Sequence, residues 1–291
     1  MDSTPLFVQY YNIILLFKCY CKTISERGIE LLREKIYQSI VELTNGRWSS
    51  FLLKRFTTSR ISKRLISSYI NIYGIKLDEV SEKKEEFQNL QEFFIRHLKE
   101  DARLIEVGKH VYTSPVDAKI ESFGDIQKNT IFYVKGKSYD LKDLLAKEEI
   151  VDQYVNGKYI VFYLSPADYH RFHSPIDGKV VNQFTLGRKS YPVNSLGLTY
   201  GNQPISKNYR QITELVTNNG SRCAFIKVGA MFVNSIHITN TKEEWNKGEE
   251  VGFFGFGSTV VMLFNENSIQ FLENVVQGTH IQVGQAFAHM L

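Results

Sequence analysis

The apolar positions of this chain change their period once, and the change divides it. In "GIELLREKIYQSIVEL" (Gly28 to Leu43), Ile29, Leu32, Ile36, Ile40 and Leu43 recur at steps of three and four, the spacing of one helical face. "SRISKRLISSYINIYGI" repeats the pattern with Ile61, Leu65, Tyr69 and Tyr73, joined by Ile66 and Ile70. After the acidic stretch "DEVSEKKEEF", "LQEFFIRHL" predicts one more helix. From Val111 onward the apolar residues come in short runs separated by Gly, Pro and Asn, among them "YTSPVDAKI", "TIFYVKGKSY", "KYIVFYLS", "SRCAFIKVGAMFVNSIHIT" and "EEVGFFGFGSTVVMLF". These predict strands and turns. "KGEEVGFF" and "QGTHIQVGQAF" each pair a glycine turn with a short strand, as compact barrels and sandwiches do. The expected fold is therefore α+β and mainly β: amphipathic helices, then a β-rich domain. No convincing long repeat is visible. The expected divisions are 1–30 as an N-terminal extension, 31–105 as the helical region and 106–291 as the β-rich domain.

Charge sharpens this division. Residues 1–76 hold 12 Lys and Arg against 5 Asp and Glu, net +7, while residues 77–291 are net −3. No acid occurs from Gly46 to Lys76, where Lys54, Arg55, Arg60, Lys63 and Arg64 cluster. The basic quarter therefore suits an anionic surface. A basic amphipathic helix can lie in the headgroup layer of a bilayer, or pack on its own domain with a solvated basic face; the pattern alone favours neither. Nucleic acid ranks last as a partner, because the basic residues are not interleaved with aromatic stacking platforms. The run "LFVQYYNIILLF" is interrupted by Gln9 and Asn12 and is too short to span a membrane, and "MDSTP" lacks the basic start of a signal peptide. Cys19, Cys21 and Cys223 form neither a disulfide framework nor a metal-ligand spacing, which fits a reducing cytosol.

Candidate chemistry gathers at strand ends. "YLSPADYHRFHSPIDG" (Tyr163 to Gly178) follows the apolar run "YIVFYL" and carries His170 and His173 three residues apart, imidazoles suited to proton transfer near neutral pH. A metal-binding HxxH reading lacks a third His or Cys nearby, and no metal is assigned. A purely structural pair of histidines stays open. Asp117, in "YTSPVDAKI", follows a Ser-Pro turn, and Ser-Pro followed by Asp recurs in "SPIDG". An Asp in a turn is usually a cap, but one that holds a histidine nitrogen fixes the tautomer at the other. In "FGFGSTVVMLF" (Phe254 to Phe264), Gly257 and Ser258 stand just before a buried strand. Such a Gly-Ser-Thr is ordinarily a bulge or turn. Alternatively, the glycine lets the backbone take a strained shape in which the Ser258 hydroxyl reaches the carbonyl carbon before it.

Taken together, "FFIRHLKEDAR", "SPVDAKI", "YLSPADYHRFHSPIDG", "GRKSYPVN", "VGAMFVNSI" and "KGEEVGFFGFGSTVVMLF" resemble, in order and spacing, the phosphatidylserine decarboxylase family, in its shorter bacterial form, over roughly Leu31 to the C-terminus. The resemblance implies a precursor that cuts itself between Gly257 and Ser258. Ser258, His173 and Asp117 would match the family's protease-like triad, with His173 as base and Asp117 orienting it. The products would be a β chain ending at Gly257 and an α chain beginning with a covalent pyruvoyl group derived from Ser258. That group would form a Schiff base with phosphatidylserine, release carbon dioxide and yield phosphatidylethanolamine, with His170 supplying a proton. A barrel-sandwich-like domain, a homodimer and a peripheral place on the cytoplasmic face of an anionic cell membrane are also implied.

Three positions depart from the family pattern: Ala118 follows Asp117 where glycine is usual, Phe256 replaces a leucine, and "DARLI" lacks a proline. Met1 to Glu30 have no clear counterpart in the shorter relatives, and no Met occurs between Met1 and Met231. The start therefore stays open between Met1, an upstream site and a non-Met codon near Leu31. The alternatives are a pyruvoyl-dependent decarboxylase of another amine acid and a non-catalytic membrane-binding β domain.

Overall fold

A computed structural model describes residues 54–230, 236–255 and 257–291. The expected helix at Gly28 to Leu43, the 1–30 extension, the Met231 to Ser235 part of "VGAMFVNSI" and the residue Phe256 lie outside the described residues. Within them the chain is α+β and mainly β, as its periodicities require.

Eight antiparallel strands form the largest sheet, in the spatial order Glu244–Trp245, Gly178–Leu186, Arg210–Val216, Arg222–Gly229, Ser258–Phe264, Lys158–Leu164, Ala118–Asp125 and His280–Ile281. Ser258–Phe264 is the central strand, with Arg222–Gly229 on one side and Lys158–Leu164 on the other. Its uninterrupted apolar run follows from burial on both faces. Val260, Met262 and Phe264 enter one core with Phe162, Phe172 and Phe225, while Val261 and Leu263 enter another with Ile212, Ile226 and Leu198. Among the described residues no sheet closes into a barrel; the sheets stay open and layered.

The basic segment forms a short 3-10 turn, Arg60–Leu65, continued by the helix Ile66–Tyr73, which ends on Gly74 in the left-handed region. Its apolar residues divide. Ile66 and Tyr69 pack with Phe87, Leu90, Phe93 and Phe94 in a third core, whereas Ile61 and Ile72 are 68% and 54% exposed. The helix expected over "LQEFFIRHL" stops at Phe94, and Leu98 instead bridges to Val80. That early stop turns Arg96 inward.

The recurring Ser-Pro turns are two copies of one structure facing each other. Ser114 Oγ donates to the Val116 carbonyl at 2.7 Å, and Ser174 Oγ to the Ile176 carbonyl at 2.8 Å. The amide of Thr113 donates to Pro175 O and that of His173 to Pro115 O, so each turn holds the residue that enters the other. The amides of Gly284 and Gly248 donate to Ser114 O and Ser174 O respectively. Asp117 accepts from the Val283 amide and Asp177 from the Lys247 amide. The repeat of Ser-Pro and Asp in the sequence is thus a repeat of structure, and the two copies pair with each other in space. One copy supplies Asp117 and the other His173.

Candidate active site

Ser258 begins the central strand and is locked on both sides, opposite Leu164 and Gly229. Its side chain is fully buried, and its Oγ has no hydrogen-bond partner among the described residues. Leaving a hydroxyl unpaired in a core costs about 1–3 kcal/mol, so such a group calls for an explanation. The residue before it, Gly257, has φ 31°, outside the range comfortable for side-chain-bearing residues. A Cβ there would have room, its nearest neighbour being Ala230 O at 3.7 Å, so backbone conformation rather than space demands glycine. The carbonyl oxygen of Gly257 accepts a hydrogen bond from the Ala230 amide at 3.1 Å. The peptide bond before Ser258 therefore has a buried hydroxyl on one residue and a polarised carbonyl on the other.

The histidines come alongside through a three-stranded sheet, Ile236–Ile238, Glu250–Phe254 and Arg171–His173. The Phe254 amide donates to His170 O, which ties the histidine segment to the chain entering Gly257. Gly252 is obligatory in this pairing, because a Cβ would meet His237 O at 2.2 Å and the Phe172 ring at 2.5 Å.

His170 is fully buried and packs against Phe94 with ring centroids 3.8 Å apart. Its Nδ1 faces Asp168 O at 2.8 Å and so carries the proton, which leaves the electron pair on Nε2; that atom has no partner among the described residues. Burial, with the Arg96 charge added, lowers its pKa to about 3, so the ring is neutral. His173 is tied in the same sense, with Nδ1 donating to Gly248 O at 2.9 Å and Nε2 facing the Tyr169 hydroxyl at 3.3 Å. Burial lowers its pKa, while the charges of Glu250 and Asp117 oppose the shift.

Asp117 is buried beside a guanidinium. Arg103 Nε donates to both of its oxygens at 2.9 and 3.0 Å, Arg103 Nη2 donates to Oδ2 at 2.5 Å, and the Val283 amide donates to Oδ1 at 2.8 Å. Arg103 also binds Glu79, and these hydrogen bonds hold its pKa above the usual arginine value against the opposing effect of burial. The structure thus brings Asp117 and His173 into electrostatic reach through the paired turns, but the atom on His173 Nδ1 is the Gly248 carbonyl oxygen rather than the Asp117 carboxylate. Ala118 opens its strand without a positive φ, and so does Gly178 in the matching turn, so the missing glycine costs the turn nothing.

A cavity of about 290 Å³ adjoins this region, with Asp117, Asp168, Tyr169, Arg96 and Arg103 on its wall. Ser258 and His170 are not on that wall. Among the described residues no group of three His, Cys, Asp or Glu side chains is disposed to hold a metal. Cys223 is a buried free thiol, raised by burial to about 12 and so unreactive. Sequence reasoning passed over Ala230, whose contribution is a backbone amide, and Arg96, Arg103 and Tyr169, whose contacts cross from one segment to another. The only signal for the two arginines was their place in "FFIRHLKEDAR".

A family model described as phosphatidylserine decarboxylase matches residues 90–289. Among curated proteins, the phosphatidylserine decarboxylase proenzyme of Geobacillus sp. (strain WCH70) is 47% identical over 255 residues, covering 88% of this chain and 98% of the relative. The proenzyme of the same description from Anoxybacillus flavithermus is 48% identical over 250 residues, 86% of this chain and 94% of the relative. That from Bacillus thuringiensis subsp. konkukian is 44% identical over 260 residues, 89% and 99% respectively.

Proposed function

The chain belongs to the phosphatidylserine decarboxylase family, and from that premise we propose that it is a self-processing decarboxylase that converts phosphatidylserine to phosphatidylethanolamine with an electrophile made from its own Ser258. The observation that carries the self-processing is the unpartnered Ser258 hydroxyl next to a Gly257 carbonyl already gripped by the Ala230 amide.

Cleavage begins when Ser258 Oγ attacks the Gly257 carbonyl carbon and gives up its proton. His173 takes that proton on Nε2, the nitrogen left basic by the Nδ1–H bond to Gly248 O, once the Tyr169 hydroxyl gives way. Asp117 supports the charge that develops on the ring by its own negative field, and Arg103 fixes its position. The negative charge developing on the Gly257 oxygen meets the Ala230 N–H. The C–N bond then breaks as His173 passes that proton to the departing Ser258 nitrogen, leaving an ester between Gly257 and the serine oxygen. Loss of the Ser258 α-proton expels the Gly257 carboxylate, and water replaces the remaining nitrogen as ammonia. The β chain ends at Gly257 and the α chain begins with a pyruvoyl group.

The surroundings fit such a group, because the Ser258 oxygen has no hydrogen bond to lose when it leaves with Gly257. The pyruvoyl carbonyl supplies an electrophile for the substrate amine and a sink for the electrons released with carbon dioxide. His170, neutral with an unengaged Nε2, would take the proton that the substrate ammonium gives up and return it to the carbon from which the carboxyl group departs. The exposed Ile61 and Ile72, flanked by Lys54, Arg55, Arg60 and Arg64, rest on the anionic leaflet that presents the lipid, at the cytoplasmic face.

Mass spectrometry of the fragment that begins at position 258 tests the proposal, since it reads both the cut and the conversion of serine to pyruvoyl. An intact chain that decarboxylates phosphatidylserine at full rate would overturn it. Turnover of free amino acids without lipid would move the assignment to another amine acid.

A further inference from the structure

Arg96 is 4% exposed, yet its Nε and Nη1 have no hydrogen-bond partner among the described residues. Among the described residues Nη2 alone is engaged, donating to Ala167 O at 2.7 Å and Asp168 O at 3.2 Å. The guanidinium lies 5.4 Å from the Phe93 ring centroid and borders the cavity. A buried guanidinium with unmatched N–H groups is costly unless an anion completes it. The carboxylates nearest in charge do not supply that anion. Asp117 is taken by Arg103 and the Val283 amide, and Asp168 by the Ser165 amide at 2.6 Å.

We propose that Arg96 is the seat of the phosphodiester of the lipid headgroup, holding it in the cavity beside the His170 segment. The proposal rests on the decarboxylase reading above and adds to it the residue that recognises the substrate. Two anionic groups of phosphatidylserine could meet a guanidinium, and the chemistry selects between them. A guanidinium clamped on the carboxyl group would stabilise the charge that vanishes as carbon dioxide, favouring the ground state over the transition state. The phosphodiester keeps its charge throughout the reaction and suits arginine's hydrogen-bonding geometry. A lipid also fits this cavity better than a free anion does. Gly74, Ile75 and Lys76 line it, directly after exposed Ile72 and Tyr73 and before exposed Leu77 in the chain, so acyl chains leaving the headgroup on that side would meet apolar side chains.

The test uses processed wild-type protein with Arg96→Gln and Arg96→Lys. Each is titrated with short-chain phosphatidylethanolamine, which retains the phosphodiester and lacks the carboxylate, and assayed with short-chain phosphatidylserine. Arg96→Gln is expected to self-cleave and to bind phosphatidylethanolamine at least about tenfold more weakly, the scale of one lost charge-assisted hydrogen bond. KM for phosphatidylserine should rise in parallel, with kcat less affected, and Arg96→Lys should recover part of the loss. Unchanged phosphatidylethanolamine binding by Arg96→Gln would overturn the proposal, including the case where affinity for phosphatidylserine alone falls. So would failure of both variants to self-cleave, which would make Arg96 a structural residue of the precursor. Inorganic phosphate that binds the wild type as tightly as the lipid would reduce the seat to a free-anion site and also overturn it. Failure of the decarboxylase reading looks different: the wild type itself would remain whole or inert.

Discussion

The backbone amide of Ala230 donates to the carbonyl oxygen of Gly257 at 3.1 Å, one residue beyond the Gly229–Ser258 pair of the central sheet. The ladder of two neighbouring strands thus supplies a donor aimed where negative charge would form during attack by Ser258. Removing such a donor typically slows a reaction about 10²–10³-fold. Ala230→Pro, which deletes the N–H, is expected to accumulate precursor on a denaturing gel over a time course in which the wild type is fully cut. A melting curve separates this effect from loss of fold. Cutting at the wild-type rate by a folded Ala230→Pro protein would remove the amide from the mechanism.

Cleavage should also depend on all three side chains. Ser258→Ala is expected to give one band and no hydrazine-reactive carbonyl. His173→Ala and Asp117→Asn should likewise stay uncut. A His173→Ala protein that matures normally would disprove its assignment as base.

His170 gives the precursor a specific acid sensitivity. The folded ring has a pKa near 3, below its ordinary value of 6.5, so the unfolded chain binds a proton that the native state refuses between these limits. Its stabilising contribution is complete above about pH 6.5 and is lost as pH falls toward about 3, amounting to about 2 kcal/mol by roughly pH 5. His173, lowered for the same reason of burial, acts in the same direction. In a Ser258→Ala background, which keeps every sample unprocessed, urea midpoints should fall on acidification less for His170→Gln than for the parent. Equal falls would show that His170 is not the group being titrated. In the processing-competent chain, His170→Ala should cut but decarboxylate poorly.

Much of this architecture was legible along the chain because burial and backbone geometry leave local traces. The central strand declares itself as Val260 to Phe264, apolar on both parities, since both faces are covered. Gly257 marks its own positive φ. The Ser-Pro turns around Asp117 and His173 betray a shared shape because Ser114 and Ser174 make the same local hydrogen bond. Their mutual pairing was not legible, since it rests on backbone hydrogen bonds between residues 62 positions apart, as in Thr113 with Pro175. Nor was the partner of Asp117: Arg103 lies in a segment whose periodicity had already broken down. The helix expected through Leu98 ends at Phe94 because tertiary contacts of Arg96 and Leu98 outweigh propensity.

The Arg103–Asp117 pair should be worth more broken than replaced. Both side chains are largely sequestered, 12% and 8% exposed. Removing one partner leaves a buried charge alone, a change that typically costs about 3–5 kcal/mol. Arg103→Met should therefore lower the urea midpoint sharply. Adding Asp117→Asn should restore much of that stability without restoring self-cleavage. A double variant no more stable than Arg103→Met alone would mean that Arg103 contributes packing rather than charge balance.

Membrane attachment offers the widest separation between the two readings of the basic segment. Ile66 and Tyr69 already satisfy the domain's own core, so the helix does not need Ile61 or Ile72 for packing, and both stand in water at 68% and 54% exposure. Burying one such side chain in the acyl boundary is worth about 2 kcal/mol, roughly thirtyfold in partitioning, and each nearby cation adds about 1 kcal/mol on an anionic surface. Ile61→Asp and Ile72→Asp should each weaken cosedimentation with phosphatidylglycerol-containing vesicles by about that factor, while leaving self-cleavage intact because neither residue touches the Ser258 corner. Raising the salt concentration should weaken the wild type further, since it screens Lys54, Arg55, Arg60 and Arg64. Vesicle binding that survives both substitutions and high salt would place the contact elsewhere on the protein and return this segment to the role of a helix packed on its own domain.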